Sequence, residues 1–469
     1  MSGHDYDLVI VGAGSGGLTA AGFAAQLGAK VALVEKNRIG GDCTWAGCVP
    51  SKALLKAAKV AHEVRNAARF GIVAAAPVTD MAAVREYVRR AIDQVYRLES
   101  PEELRHKGIE VIQGHARFRD ASTILVKQQP VRSRAFLITT GARPRIPAIA
   151  GLSEVPFLTY EQIFDNDQLP GTLVVIGGGP IGMELTQAYQ RLGSQVIVIA
   201  NRLLPKDEPE VPGLMRRVFE REGIRFVTGR AQSACRDGAD VVVTTKDEKI
   251  RGNALLIASG RIPTLAGLDL DKAGVKYSEA GIPVDEHLRT NMKHIYAAGD
   301  VIGGLQFTHL AGWQGFQAAR NALLPGNSKG LSELVPWVTY TDPEVAHAGL
   351  TEEQARARFG GRIRVHRWEM NRTDRAVCEA DTDGFLKVVA KGDGTLLGAT
   401  VVHARAGETI AELVLAMNHK LKLSDLASAI HPYPTYATAV QQLAADATVQ
   451  TLLSGTSGRI VRGLSKWTR

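Results

Sequence analysis

From residue 8 the chain sets short apolar runs against glycine-marked turns and longer amphipathic stretches. Leu8-Val9-Ile10-Val11 has the unbroken apolar character of a buried strand. Gly12, Gly14 and Gly17 follow it, a helical pattern runs on through Leu27-Gly28, and a second strand, Val31 to Val34, ends at Glu35. The same order returns 165 residues later. Val174-Val175-Ile176 precedes Gly177, Gly179 and Gly182, a helix runs to Leu192-Gly193, and the strand Val196 to Ile199 ends at Ala200. Leu8 to Ala29 carries no charge over 22 residues, long enough to span a membrane. Its glycines, with Ser15, Thr19 and Gln26, predict a strand, a turn and a helix instead. Further on, Gly384 to Ala390 and Leu396 to His403 predict strands, and Glu408 to Lys420 and Thr435 to Ala445 predict amphipathic helices. Ile460, Val461, Leu464 and Trp467 fall at helical spacing among Arg459, Arg462, Lys466 and Arg469. Such a tail could lie on a membrane surface, but more often it packs on its own protein or frays, so membrane contact is not expected.

Both glycine clusters are βαβ openings with the dinucleotide fingerprint. The first glycine makes the tight turn, the second lets the backbone approach a pyrophosphate, and the third lets helix and strand pack closely. The helix N-terminus then offers unpaired N–H groups to the phosphates. One such cluster could be a plain glycine-rich turn; two in register are a far more specific signal. The strand ends tell the copies apart. Glu35 is placed to accept from ribose hydroxyls, which suits the adenosine half of FAD. Ala200 stands at the equivalent point of the second copy, followed by Asn201, Arg202 and Lys206. A missing carboxylate beside cations favours a 2′-phosphate, hence NADPH over NADH, with NADH still possible.

At 469 residues the chain can bury the cores of two to four domains. Its net charge of +8 suits phosphate-bearing ligands, and without a Lys/Arg run interleaved with aromatics nucleic acid is not expected as a partner. Met1 to Asp7 lacks the basic region of a signal peptide, so a cytoplasmic location is expected.

Four cysteines, Cys43, Cys48, Cys235 and Cys378, are too few for a secreted disulfide framework. Cys43 and Cys48 lie in Gly40-Gly41-Asp42-Cys43-Thr44-Trp45-Ala46-Gly47-Cys48-Val49-Pro50-Ser51-Lys52, directly after the first fingerprint. In an unbroken helix they would sit about one and a half turns apart, so a bond between them needs a local distortion. A stabilising bridge over so short a loop would add little. No further Cys or His lies close enough in sequence to complete a metal site, so no metal ligand is assigned. A constrained, reducible disulfide is the reading that remains.

With these segments in view, the sequence resembles the pyridine nucleotide-disulfide oxidoreductases, among them mercuric reductase, dihydrolipoyl dehydrogenase and glutathione reductase. Ile138-Thr139-Thr140-Gly141 and Ile257-Ala258-Ser259-Gly260-Arg261 resemble the family's two strand-to-glycine crossings. Ile295-Tyr296-Ala297-Ala298-Gly299-Asp300 resembles its second FAD motif, and Tyr340-Thr341-Asp342-Pro343-Glu344-Val345-Ala346 the opening of its interface domain. The resemblance implies an α/β fold: two Rossmann-like dinucleotide-binding domains, for FAD and NAD(P), plus a C-terminal α/β dimerisation domain. The expected boundaries are 1–150 for FAD, 151–275 for NAD(P), 276–330 for the return to the FAD region and 331–469 for the interface. It also implies that NADPH gives a hydride to the flavin, that Cys48 faces the flavin and that Cys43 exchanges with the acceptor. Lys52 and Glu184 would lie beside the flavin and nicotinamide rings. Gly114, Gly141, Gly299, Asp300 and Thr308 would join the FAD site, and Gly260 and Arg261 the nicotinamide cofactor site. A homodimer is implied, with a small molecule or metal ion as electron acceptor.

The sequence departs from the family at one telling place. Disulfide reductases carry His-Pro-Thr-x-x-Glu, whose imidazole serves the exchanging thiol as acid and base. Here the stretch reads His431-Pro432-Tyr433-Pro434-Thr435-Tyr436-Ala437-Thr438, with Tyr433 at the His position and Thr438 at the Glu position. A phenol titrates near 10 and is a poor base at neutral pH. A leaving thiol wants a proton; a thiolate-bound soft metal ion does not, and mercuric reductase also has a Tyr here. That resemblance is incomplete, because the tail Gly455 to Arg469 lacks the cysteine pair which hands Hg(II) inward. No N-terminal metal-carrying domain is expected either, since the fingerprint opens at residue 8. Three readings stand: a mercuric reductase-like enzyme acting on a soft metal ion or thiol-bound acceptor; a disulfide reductase of the dihydrolipoyl dehydrogenase kind, with His431 or water replacing the missing base; and a redox-sensing flavoprotein with incidental turnover.

Overall fold

The computed structural model of the chain describes residues 4–453. The amphipathic pattern at 460–467 lies outside the described residues. The chain falls into two compact units, one made of Met1–Asn201 and Glu222–Ser332, the other of Arg202–Arg221 and Glu333–Arg469.

The first unit holds both nucleotide folds. Strand β1 (Tyr6–Val11) leads through the glycine turn into helix α1 (Ser15–Gln26) and out to strand β2 (Val31–Glu35). β1 lies at the centre of a parallel arrangement, between β2 and Gln129–Ile138, and Ile295–Ala297 adds to the far side of the latter. All four residues Leu8 to Val11 are buried, as are Val31 to Glu35, which is why these strands are continuous apolar runs and do not alternate. Next come the short helix α2 (Gly41–Trp45) and the longer α3 (Cys48–Arg65). The second copy repeats the opening as strand β3 (Thr172–Ile176), helix α4 (Pro180–Leu192) and strand β4 (Gln195–Ala200). β3 pairs in parallel with β4 and with Ala254–Ile257, and β4 with Arg225–Thr228. The uncharged stretch from Leu8 to Ala29 is thus strand, turn and helix, and no helix among the described residues is long and apolar enough to cross a membrane.

The second unit is a five-stranded antiparallel sheet ordered Trp337–Thr339, Glu344–Gly349, Leu396–His403, Phe385–Lys391, Ile363–Glu369. Helices Ala406–Asn418 and Thr438–Leu453 bury Ile410, Leu413, Val440 and Leu443 in the same core as Leu386, Val388 and Val401. The last helix starts at Thr438, three residues beyond the predicted start, because the N–H groups of Thr438 and Ala439 turn back to Thr435 and Tyr436 in single-turn bonds. Within this unit the buried Lys387 ammonium bonds Glu208 at 3.1 Å, Glu210 at 2.8 Å and Glu352 at 2.8 Å, so the 202–221 segment is tied to the sheet by charge as well as by packing.

Candidate active site

Each glycine of the first fingerprint has its own constraint. Gly12 adopts φ +107°, and a Cβ there would lie 2.4 Å from the Thr139 carbonyl oxygen; one on Gly17 would lie 1.9 Å from the Gly12 carbonyl. Gly14 meets only the Gly41 Cα at 4.0 Å, so its side of the turn is open. Gly14 caps α1 without a side chain, and no acidic residue sits in the helix's first turn. The second copy repeats this geometry. Gly177, at φ +128°, would meet the Ala258 carbonyl at 2.3 Å and Gly182 the Gly177 carbonyl at 2.5 Å, while Gly179 faces open space. Two helix N-termini therefore present free backbone donors beside a wall that a Cβ would fill, and the residues present fit two pyrophosphate-bearing ligands. Gly141 and Gly260, at positive φ on the two crossings, also face open space.

The strand ends differ as their side chains do. The buried Glu35 carboxylate accepts from the Ala13 and Asn37 backbone N–H groups, both at 2.7 Å, and Gly114 N–H bonds the Glu35 carbonyl at 2.8 Å. At the other end, the Asn201 amide in its satisfied orientation donates to the Gly229 carbonyl at 3.1 Å and accepts from Arg230 Nε at 2.9 Å. Arg230 is exposed, and so are Arg202 and Lys206 in the segment that follows Asn201 in sequence.

The distortion required between the cysteines is a break between two helices. Cys43 lies in α2, Cys48 is the first residue of α3, and Gly47 between them takes φ −121°, ψ −111°. Both thiols are free and partly buried. The Cys48 sulfur lies 3.1 Å from Thr308 Oγ1, at the start of helix Thr308–Leu323. Cys43 hydrogen-bonds to Cys48 and also engages Thr308 and Ser15. The pair divides its protons unequally. The hydrogen bond from Cys43 brings the Cys48 thiol down to about 6, against the opposing effect of burial, with help from Thr308 and the Lys52 charge. The same hydrogen bond, reinforced by burial, raises Cys43. Lys52, one turn along α3, forms an ion pair with the buried Glu184 of α4 at 2.9 Å, so the two residues that the resemblance puts beside the rings meet. Trp45, for which the sequence suggested only packing, donates to the Ile39 carbonyl at 2.6 Å and lies between Tyr96 and Arg38.

Gly299 N–H donates to Gln314 Oε1 at 2.9 Å, and the neighbouring Asp300 is buried. The Arg261 guanidinium bridges Asp300 at 2.7 Å and Asp42 at 2.5 Å. Asp42, Tyr160 and Ser15 were not singled out in the sequence. Their only signal there is that Asp42 adjoins Cys43 and Ser15 lies within a fingerprint.

In the second unit Tyr433 is 69% exposed and donates its hydroxyl to Asp374, a bond that raises its titration above the usual phenol value. His431 Nε2 lies 3.0 Å from Glu412 Oε1 and its Nδ1 3.0 Å from the Ala429 carbonyl. Both ring nitrogens thus face oxygen atoms within hydrogen-bond distance. No group of three or more His, Cys, Asp or Glu among the described residues could hold a metal ion.

Residues 6–315 match the family described as pyridine nucleotide-disulphide oxidoreductase, and residues 335–444 match its dimerisation domain. The chain is 36% identical over 443 residues to mercuric reductase of Bacillus cereus, covering 92% of this chain and 70% of that protein. It is 36% identical over 461 residues to dihydrolipoyl dehydrogenase of Thermus scotoductus, covering 94% and 96%. Among solved structures, the Cu(II) complex of the HOCl-induced flavoprotein disulfide reductase RclA from Escherichia coli superposes with a TM-score of 0.85 at 27% identity. It covers 94% of this chain and 99% of its own. LpdA from Mycobacterium tuberculosis does so at 0.86, with the same identity and coverage. The chain therefore belongs to the pyridine nucleotide-disulphide oxidoreductases, FAD-dependent enzymes that draw electrons from a pyridine nucleotide and deliver them to disulfides or to metal ions such as mercury.

Proposed function

We propose that this chain is an NADPH-dependent reductase of a thiophilic metal ion or its thiolate complex, acting as a homodimer through the region 335–444. The observation that carries the reading is the state of residues 431–433. Tyr433 holds its proton against Asp374, and both nitrogens of His431 are engaged, so neither is placed to shuttle a proton to a leaving thiol. An acceptor bound as a cation needs no such proton. The mercuric reductase relatives and the copper complex of RclA support a soft cation as acceptor.

When bound, FAD would take a hydride from the reduced nicotinamide and pass two electrons to sulfur. Gly12, Gly14, Gly17, Glu35, Gly114, Gly141, Gly299, Asp300 and Thr308 would hold it, and Gly177, Gly179, Gly182, Gly260, Asn201 and Arg202 the nicotinamide cofactor. Arg261 would act beside that cofactor through its tie to Asp300. NADPH is favoured over NADH because Ala200 ends the strand where the first copy has Glu35, and Arg202 and Lys206 follow it in sequence. The reduced pair presents one thiolate, Cys48, and one thiol, Cys43. Metal binding by both sulfurs then releases the Cys43 proton, while Ser15 and Thr308 remain as hydroxyl partners. The Lys52 charge favours the Cys48 thiolate, while the carboxylate of its partner Glu184 opposes it.

One observation favours a second reading, a disulfide reductase: His431 and Glu412 form an imidazole–carboxylate pair two residues from the family's His position. Turnover with NADPH separates the two. Hg(II) with excess thiol is expected to be reduced at least about tenfold faster than lipoamide or glutathione disulfide. Faster turnover of either disulfide would overturn the metal reading. Slow turnover with every acceptor would favour a redox-sensing flavoprotein.

A further inference from the structure

Two residues of a polar cluster beside the cysteines, Asp42 and Tyr160, have no part in the chemistry above. Asp42 directly precedes Cys43. Its carboxylate accepts from the Tyr160 hydroxyl at 3.0 Å and from Arg261 Nη2 at 2.5 Å. The same guanidinium reaches Asp300 at 2.7 Å and donates through Nε to the Tyr160 oxygen at 3.2 Å. Tyr160 and Asp300 are buried, and Arg261 keeps only 17% of its side chain exposed. The Asp42 side chain is thus fixed by two donors, one of them anchored to a second carboxylate.

The Asp42 main chain supports the cysteine loop. Its carbonyl accepts from Ala46 N–H at 2.9 Å, closing the turn that contains Cys43. Gly47 presses on the same oxygen so closely that a Cβ there would lie 2.7 Å away. The break that turns Cys48 back toward Cys43 therefore rests on the peptide of residue 42. A shift of that peptide would move both ends of the loop, because the first sulfur is on the next residue and the second follows Gly47.

We propose that Asp42 and Tyr160 are positioning residues: tied through Arg261 to Asp300, they hold the main chain of residues 42–47 so that the Cys43 and Cys48 sulfurs stay in contact with each other and with Thr308. The proposal rests on reading these cysteines as the redox pair. The cluster joins the second crossing to the second FAD motif, since Arg261 follows Gly260 and Asp300 follows Gly299. Its effect is mechanical: without the anchor, the loop is free to open and the hydrogen bond between the sulfurs is lost.

The test uses the flavin-loaded protein, reduced with a phosphine and alkylated with iodoacetamide over a pH series, with Cys43 and Cys48 followed separately by peptide mass. In the wild type, Cys48 alkylation should rise through a midpoint of about 6. In Asp42→Ala and Tyr160→Phe the midpoint should move up by about one pH unit, toward an ordinary thiol. Asp42→Asn, which keeps an oxygen for both donors, should stay near the wild type. Flavin absorbance and circular dichroism report whether each variant is folded. If Asp42→Ala does not fold, Tyr160→Phe, which loses only a hydroxyl, decides the matter. An unmoved midpoint in the folded variants overturns the proposal. A wild type in which reduction makes neither cysteine alkylatable refutes the redox-pair reading itself.

Discussion

The cysteine loop and the stretch around Tyr433 are both expected to meet the electron acceptor, yet they are built in contrasting ways. At the loop, each sulfur has partners: Cys48 has Cys43, Thr308 and the Lys52 charge, and Cys43 has Cys48, Thr308 and Ser15. That surrounding pulls one thiol down to about 6 and so prepares a nucleophile for neutral pH. Around Tyr433 the groups that could move protons are tied up or shifted the wrong way. The phenol is raised by its bond to Asp374, and His431 is held between Glu412 and the Ala429 carbonyl. The proposed function rests on this contrast: the sulfurs have their partners and the groups around Tyr433 are engaged, an arrangement suited to acceptors that need electrons alone.

The largest effect should come from breaking the first region. Cys48→Ser removes the sulfur with the lowered titration, and acceptor turnover should fall by about a thousandfold or more in steady-state assays. Reduction of the bound flavin by NADPH should persist in stopped-flow traces. A smaller effect should come from repairing the second region. Tyr433→His restores an imidazole at the family's position, and glutathione disulfide or lipoamide reduction should rise about tenfold, with a bell-shaped pH profile. No gain would mean that the missing base is not what limits disulfide turnover.

The parts of this site legible in the sequence are those that one stretch of backbone dictates. Gly12 and Gly177 must be glycine because a carbonyl of the adjoining strand, Thr139 or Ala258, lies where a Cβ would go. That requirement follows the fold opening wherever it occurs, so it is written twice at the same spacing. Glu35 and Ala200 were readable for the same reason, since each ends the strand after its helix. The partners chosen by tertiary packing were not readable. Tyr160 and Arg261 reach Asp42 across 118 and 219 positions; no local pattern marks Tyr160, and the motif that marks Arg261 carries no sign of Asp42. The reading of residues 431–438 was half complete. The departure from the family's motif was visible, but the carboxylate that His431 finds lies 19 positions back, on helix Ala406–Asn418.

The most direct measurement is a thiol count before and after anaerobic addition of one equivalent of NADPH to the flavin-loaded protein, with alkylation sites located by mass. The account predicts two thiols that appear only with NADPH, at Cys43 and Cys48, while Cys235 and Cys378 are alkylated throughout. Labelling of Cys43 and Cys48 that does not respond to NADPH would contradict it.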